Sequence, residues 1–475
     1  MKETLCFLLL LLLAPSALAQ EPVITWGPSI ERDVAELQNL HIIGISGTDF
    51  YTVHQADGQA TLERYDATNQ RLWATALLPR TADGQPAEFH DVLLLEGKLQ
   101  LLSTHRKNGV TTVYAQEITS TGNYRPTIRS VTSARTNGTL SVSISDDKND
   151  VLIVLTDRPQ QKLTASLFNA SLSPRWTQTF SMSGVFRQSV VLTDGSSFIL
   201  TESNDSAPIT AAYHLYSLNA RSGSIRDTPL GHQNYNFTQA MMAASGTDLV
   251  VAGLYASGAG TAEQQPEPSG NFFYRFSGDK NKRNLTSIIP FNQQFIRNYK
   301  SETNDFDRSK RLRNLELKEV ETAGQGGTYV IGEVWFQENG NGQRLYNSHD
   351  LIITRLKEDG FLDYNTSIAK SQSGTSGNRF LYSFLSSLQS NNLFIVYQNM
   401  MRGEATAPKQ GSLAQAATLT TILPDGTQQT TPLQQKPDSA ESIQIRPAVS
   451  FPVSKREFIV LGSNSGSYRF GRLKF

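Results

Sequence analysis

A strand-turn-strand unit recurs along this chain about every 50 residues, and that period restricts the fold more than any single motif. In "LERYDATNQRLWATAL" an apolar Tyr65 and a later Trp73 flank a polar turn, and "SLFNASLSPRWTQTF" repeats the pattern with Phe168 and Trp176. Looser copies centre on Ile118, Leu218, Phe276, Leu356 and Ile422, each with Gly, Asn, Asp or Pro at the turn, as hairpins need. Upstream of each unit stands an apolar, β-rich run: "FYTVHQ", "KLQLLSTH", "VLIVLTD", "SFILTES", "DLVVAGLY", "TYVIGEVWF", "NLFIVYQN" and "EFIVLGSN". A further short strand, such as "HIIGIS", "DVLLLE" or "NLELKEV", precedes it across a tight polar turn.

Four strands per repeat and eight repeats predict an all-β chain, an eight-bladed β-propeller of four-stranded blades. The blades are expected at about 41–79, 87–131, 138–182, 188–230, 237–290, 314–370, 379–435 and 443–475. No segment shows a helical period of useful length. The last unit ends on "GSYRFGRLKF", which lacks an outer strand, while "EPVITWGPSI" near the start is a single strand with Trp26 and no hairpin of its own. The N-terminal strand within residues 21–30 is therefore expected to close the last blade.

The apolar-turn-Trp unit resembles the repeats of quinoprotein-like and WD40-like propellers, whose tryptophans pack between blades. "GGTYVIGEVWF" followed by "HDLIITRLKEDGFLDYNTSIAKSQ" resembles a segment of exported repeat proteins of Bacteroidota. That resemblance implies a bacterial envelope protein and no particular activity. Asp205-Ser206-Ala207 and Asp438-Ser439-Ala440 resemble the short O-glycosylation signal of the same bacteria.

Residues 1–19, "MKETLCFLLLLLLAPSALA", have the layout of a secretory signal peptide: Lys2, an apolar run from Leu5, and a small-x-small site at Ala17-Leu18-Ala19. The run is too short to span a bilayer, so residues 20–475 are expected as one exported domain, periplasmic or extracellular, with no integral membrane segment. The single cysteine, Cys6, lies inside that signal, which leaves no disulfide, thiolate metal site or cysteine nucleophile afterwards. Forty-three basic residues balance 43 acidic ones, which argues against a general nucleic-acid partner.

Extra residues gather at 254–270, 291–313, 336–349 and 400–414, which propeller topology places on one face of blades five to seven. A rigid scaffold carrying clustered insertions is what a binding site requires. One aromatic and polar set there is Trp335, Phe336, Arg344, Tyr346 and His349; the other is Phe295, Arg297, Tyr299, Asp305 and Phe306. Rings beside Arg and Asp suit sugars or peptides. The basic run Arg308, Lys310, Arg311, Arg313 reads as a solvated linker.

Seven scattered histidines show no metal-ligand spacing, and "SDDKND" reads as a polar hairpin turn rather than a calcium loop. Nucleophile elbows, phosphate loops and sialidase-type aspartate boxes are missing. The absence of a cysteine pair and the small number of tryptophans depart from quinoprotein dehydrogenases, so neither metal nor cofactor is expected. The sequence thus reads as a non-catalytic propeller that binds a protein or glycan ligand. The alternative is a carbohydrate-active envelope enzyme with carboxylates from several blades, for which Glu333, Asp305 and Asp350 are the candidates.

Overall fold

The computed structural model describes residues 21–475 apart from 137, 204–210, 258–266, 278–281, 302–311, 313, 324–326, 341–342, 375–383, 390, 399–416, 437–442, 455 and 465. Residues 1–19 (read above as a signal peptide), Asp305, Phe306, the basic run, the triplets at 205–207 and 438–440 and all of 400–414 lie outside the described residues. Eight separate antiparallel sheets form an eight-bladed β-propeller. Blade one consists of Gln38–Ser46, Asp49–Ala56, Gln59–Tyr65 and Arg71–Ala76, paired in that order, and each later blade follows the same meander. The first strands of successive blades neighbour one another and so line the central channel.

No common core lies at the centre. The buried apolar residues instead form clusters at the seams between blades, and every one of the eight seams has at least one. The second strand of a blade therefore meets apolar neighbours on both faces and reads as a continuous run; Asp150–Asp157 is buried along its whole length. Outer strands alternate, as in Arg71–Ala76, because only one face meets a neighbour.

A polar latch repeats on the face formed by the turns between first and second, and third and fourth, strands. Trp73 Nε1 donates to Ser120 O in the next blade's turn at 3.1 Å, and Trp176 Nε1 does the same to Ala220 O at 3.1 Å. Gly122 and Gly223 lie beneath those rings at positive φ, where a Cβ would come within 3.2 and 2.8 Å of the indole. Arginines of the third strand reach the same turns: Arg64 Nη1 donates to Ser120 O at 2.7 Å and Arg472 Nε to Ala67 O at 3.0 Å. An acid at the start of the second strand holds the arginine in three blades, in Arg64–Asp49 (2.7 Å), Arg275–Asp248 (2.8 Å) and Arg472–Glu457 (3.0 Å).

The chain ends meet in blade eight. Val23–Trp26 pairs antiparallel with the last strand, Val23 opposite Lys474 and Trp26 opposite Gly471. Trp26 is buried with Val396 and Leu419 of blade seven, and its ring covers Gly462 and Gly471, where a Cβ would clash at 2.5 Å. A short segment, Gln434–Lys436, adds to the outer side of Val23–Thr25 in parallel, which the repeat pattern did not foretell.

Two expectations about the inserted segments need correction. Residues 336–349 are not a loop: the second and third strands of blade six, Gly327–Gly340 and Gln343–Leu356, continue past the sheet as a paired hairpin arm. Within 291–313 a helix forms at Gln293–Ser301. Asn292 Oδ1 caps it by accepting from the backbone N–H of Gln294 and Phe295 at 2.8 and 3.1 Å. Phe295, Ile296 and Tyr299 supply its packed side, a spacing too brief to register as a sustained period.

Substituting Trp26→Ala should cost about 3–5 kcal/mol, the range for emptying a buried indole site, and deleting residues 21–31 should cost more. Urea unfolding of both variants measures this; an unchanged midpoint would show that the ring does not depend on its N-terminal strand.

Candidate functional site

Loops from blade to blade and between second and third strands share the face opposite the latches. On that face the hairpin arm and the helix rise side by side over blades five and six. Phe336 packs with Tyr299, Phe291 and Leu312 beneath the helix, and its ring lies 5.3 Å from that of His349. The Tyr299 hydroxyl donates to Asp350 Oδ2 at 3.1 Å, which ties the helix to the root of the arm. Phe295 stacks on Tyr299 at 5.9 Å.

The residues singled out from sequence therefore divide by exposure. Trp335, His349 and Tyr299 are buried, Phe336 and Tyr346 are half-buried, and Arg297 and Arg344 are exposed. Trp335 packs 6.4 Å from Tyr346 with Lys318 Nζ 5.5 Å above its ring, so the indole is a wall of the fold rather than an open platform. The two sets do meet, since Phe336 and Tyr299 share one cluster.

Glu333 is enclosed by cations. Lys370, buried to 2% exposure, places Nζ 2.8 Å from Glu333 Oε1, and Lys318 Nζ is 3.4 Å from Oε2. Lys370 Nζ also donates to Ser348 Oγ at 2.6 Å and Gln372 Oε1 at 2.8 Å, while Ser348 Oγ donates to Glu333 Oε1 at 2.7 Å. Burial pushes the Glu333 carboxyl up, but Lys370 and Lys318 outweigh it and hold the group below its ordinary value. Glu333 is a structural anion, bonded on both oxygens. Asp350 is engaged by Tyr299 and by the Lys370 backbone N–H at 3.4 Å.

Concave sites lie on either side of this assembly. Between the end of the second strand of blade five and the helix, a pocket of about 390 Å³ is lined by Tyr235, Tyr255, Phe291, Ile296, Gln293 and Glu267, among others. The Tyr235 and Tyr255 rings are 4.8 Å apart at 59°, with His232 another 4.8 Å from Tyr235. Tyr255 is 2% exposed, its hydroxyl has no hydrogen-bond partner among the described residues, and burial pushes its pKa up to about 12. A second hollow of about 530 Å³ opens at the channel mouth among blades four to six, by Arg187, Glu202, Tyr213 and Glu316. Both acids are neutralised, Glu202 by Arg187 and Glu316 by Lys318 at 3.0 Å.

Sequence reasoning missed the acids of the channel wall. Glu319 and Glu321, two residues apart on the innermost strand of blade six, both accept from Ser386 Oγ on the innermost strand of blade seven. A hydroxyl carries one proton, so it satisfies one carboxylate and the other must hold its own. Burial raises Glu319 to about 7, with Glu333 adding and Ser386 opposing, and raises Glu321 to about 8, with Glu319 adding. The spacing of these glutamates in "LKEVETA" was the available signal.

No family model and no curated protein matches the chain. Among solved structures the chain is similar to Sqt1 from Saccharomyces cerevisiae, at TM-score 0.45 and 7% identity over 96% of this chain and 100% of that one. It is similar also to the polysaccharide lyase Uly1, at 0.42 and 10% over 96% and 98%. The WD40 domain of SCAP from fission yeast follows at 0.40 and 10% over 92% and 96%. At such values the likeness says nothing of activity.

Replacing Glu333 with Gln strands the buried Lys370 ammonium and should cost about 3–5 kcal/mol in urea unfolding; a loss below about 1 kcal/mol would mean the pair is dispensable. The channel acids give a pH signature. Unfolded glutamates release protons near their ordinary 4.5, whereas the folded pair keeps them to about 7 and 8. Their stabilising protonation is complete below the unfolded value and lost as pH rises through the folded values. Glu321→Gln should therefore raise Tm by on the order of 2 °C at pH 8.5 and leave it unchanged at pH 4. An equal effect at both pH values would contradict this assignment.

Proposed function

We propose that the chain is an exported, non-catalytic binding propeller of a bacterial envelope that engages a protein or glycan partner through the loop face of blades five to seven. The observation that carries the reading is the Tyr255 hydroxyl, which has no protein partner among the described residues and lines an aromatic pocket on that face. A hydroxyl that no protein group engages can bond to a ligand without first breaking an intramolecular hydrogen bond. The pocket offers ring faces from Tyr235 and Phe291 for apolar C–H surfaces, with Gln293 and Glu267 to orient polar groups. Sugars and peptide side chains both present that combination. Exposed Arg344 on the arm and Arg297 on the helix extend the contact beyond the pocket.

A second reading, a carbohydrate-active enzyme, draws on the channel wall, where Glu319 and Glu321 hold a proton near neutral pH, as a general acid must. Those acids belong to one strand of one blade rather than to several blades.

A glycan array and a panel of purified envelope proteins, probed with the chain from residue 20, test the binding reading. Tyr235→Ala and Arg344→Ala should each weaken the best ligand at least about tenfold, the loss expected from a central aromatic or arginine contact. Unchanged binding in both variants removes the site, and turnover of a bound glycan that Glu321→Gln abolishes would favour the enzyme.

A further inference from the structure

On the face opposite those loops, the seam between blades two and three carries charges unlike those of the blade-one latch. In blade one the latch is Asp49–Arg64 on the second and third strands, with Tyr51 facing the next blade. Register places Lys98, Glu117 and Gln100 of blade two at the positions of Asp49, Arg64 and Tyr51. The charges are reversed. Glu117 stands where blades one, five, six and eight have arginine, and a carboxylate cannot bond to the carbonyls of the turn in blade three. The outer strand also bulges between Tyr124 and Ile128, where blade one carries Trp73.

At the seam between blades two and three lies a cleft of about 520 Å³. Its floor is Gln100 with Ala115 and Ala170; Lys98, Arg125, Arg129, Glu96 and Glu117 stand around it. Gln100 is the informative residue. The same position is apolar in every other blade: Tyr51, Leu152, Phe198 and Val250 in blades one, three, four and five, then Tyr329, Phe394 and Ile459 in blades six to eight. Gln100 is 6% exposed and lines the cleft, yet its amide has no hydrogen-bond partner among the described residues. Lys98 and Glu96 are likewise unpaired, whereas Glu117 meets Arg125 at 3.5 Å and Arg129 is spent on Ser171 O at 3.2 Å. An amide in place of a seam hydrophobe gives up apolar burial and turns polar atoms toward the cleft, and local rule-breaking of this kind marks functional positions.

We infer that the cleft between blades two and three is a ligand site for a sugar acid, a polyhydroxylated molecule with one carboxylate. The cleft has no aromatic ring, and its apolar lining is limited to Ala115, Pro126 and Ala170, too little for an apolar ligand. Its two glutamates repel a compact polyanion such as phosphate and require O–H donors instead. Three bases stand against two acids, so the surroundings carry one net positive charge, which matches a monoanion rather than a zwitterionic peptide. The carboxylate goes to the free Lys98 ammonium, and the Gln100 amide both donates to and accepts from adjacent hydroxyls.

Isothermal titration calorimetry of the chain from residue 20 with D-glucuronate, D-glucose, inorganic phosphate and triglycine tests the inference. D-glucuronate should bind, and high salt should weaken it. Gln100→Leu, which installs the residue type of the other blades and so preserves the fold, should weaken binding by at least about tenfold without lowering Tm. Lys98→Glu should weaken it as strongly. No binding of glucuronate, equal or tighter binding of glucose, phosphate or triglycine, or full affinity in Gln100→Leu or Lys98→Glu would each overturn the assignment. The cleft is remote from the loop-face pocket, so Tyr235→Ala should leave glucuronate binding intact, and the two sites stand or fall separately.

Discussion

Burial at the seams between blades is the interaction on which the rest of this molecule depends. Each blade is a small sheet with two apolar faces and no core of its own, so it is stable only between neighbours. Burial is non-directional and would tolerate blades sliding over one another. The latches supply direction: an indole or guanidinium on one blade bonds to one turn carbonyl of the next, as Trp176 does to Ala220 and Arg472 to Ala67. A closed ring then needs both chain ends in one blade, and Ile24 and Trp26 fill the last seam.

That dependence divides the two faces by role. The latch face holds short turns whose geometry is set by the neighbouring blade, and Gly122 and Gly223 cannot gain a side chain beneath their tryptophans. The opposite face carries the longer connections, so insertions there leave the seams intact. The arm and the helix of blades five and six occupy that freedom, and they bring their own supports. Tyr299 bonds to Asp350, and the Glu333–Lys370 pair anchors the arm where it leaves the sheet. Between blades two and three, where an outer-strand arginine, Arg129, reaches the turn in place of a third-strand one, the seam holds a polar cleft.

The fold was largely legible because its signals are local and repeated. Period-two strands, turn residues and the Tyr65–Trp73 spacing recur in blade after blade, and the lone strand with Trp26 matched the unit that lacked one. The site was much less legible. Trp335 and Tyr299 look like ligand platforms in sequence, yet both are buried, because an exposed ring and a packed ring have the same letter. Glu333 looks like an available acid until Lys370, distant along the chain, is seen against it. The helix at Gln293–Ser301 escaped because its stability comes from packing on Phe291 and Leu312 rather than from a long amphipathic period.

The sequence alone determined the strand content, the count of eight repeats and the use of the N-terminal strand to finish the last one. These follow from hydrophobic periodicity and turn chemistry, which act over a few neighbouring residues. Only the tertiary structure decided which polar groups are spent and which are free. Glu117 and Arg64 occupy matching places in their repeats, but one meets a bulged outer strand and the other a waiting carbonyl. Whether Gln100 or Tyr255 has a partner depends on residues far away in the chain. Burial and distance set the chemistry of a side chain, and neither is written in its neighbours.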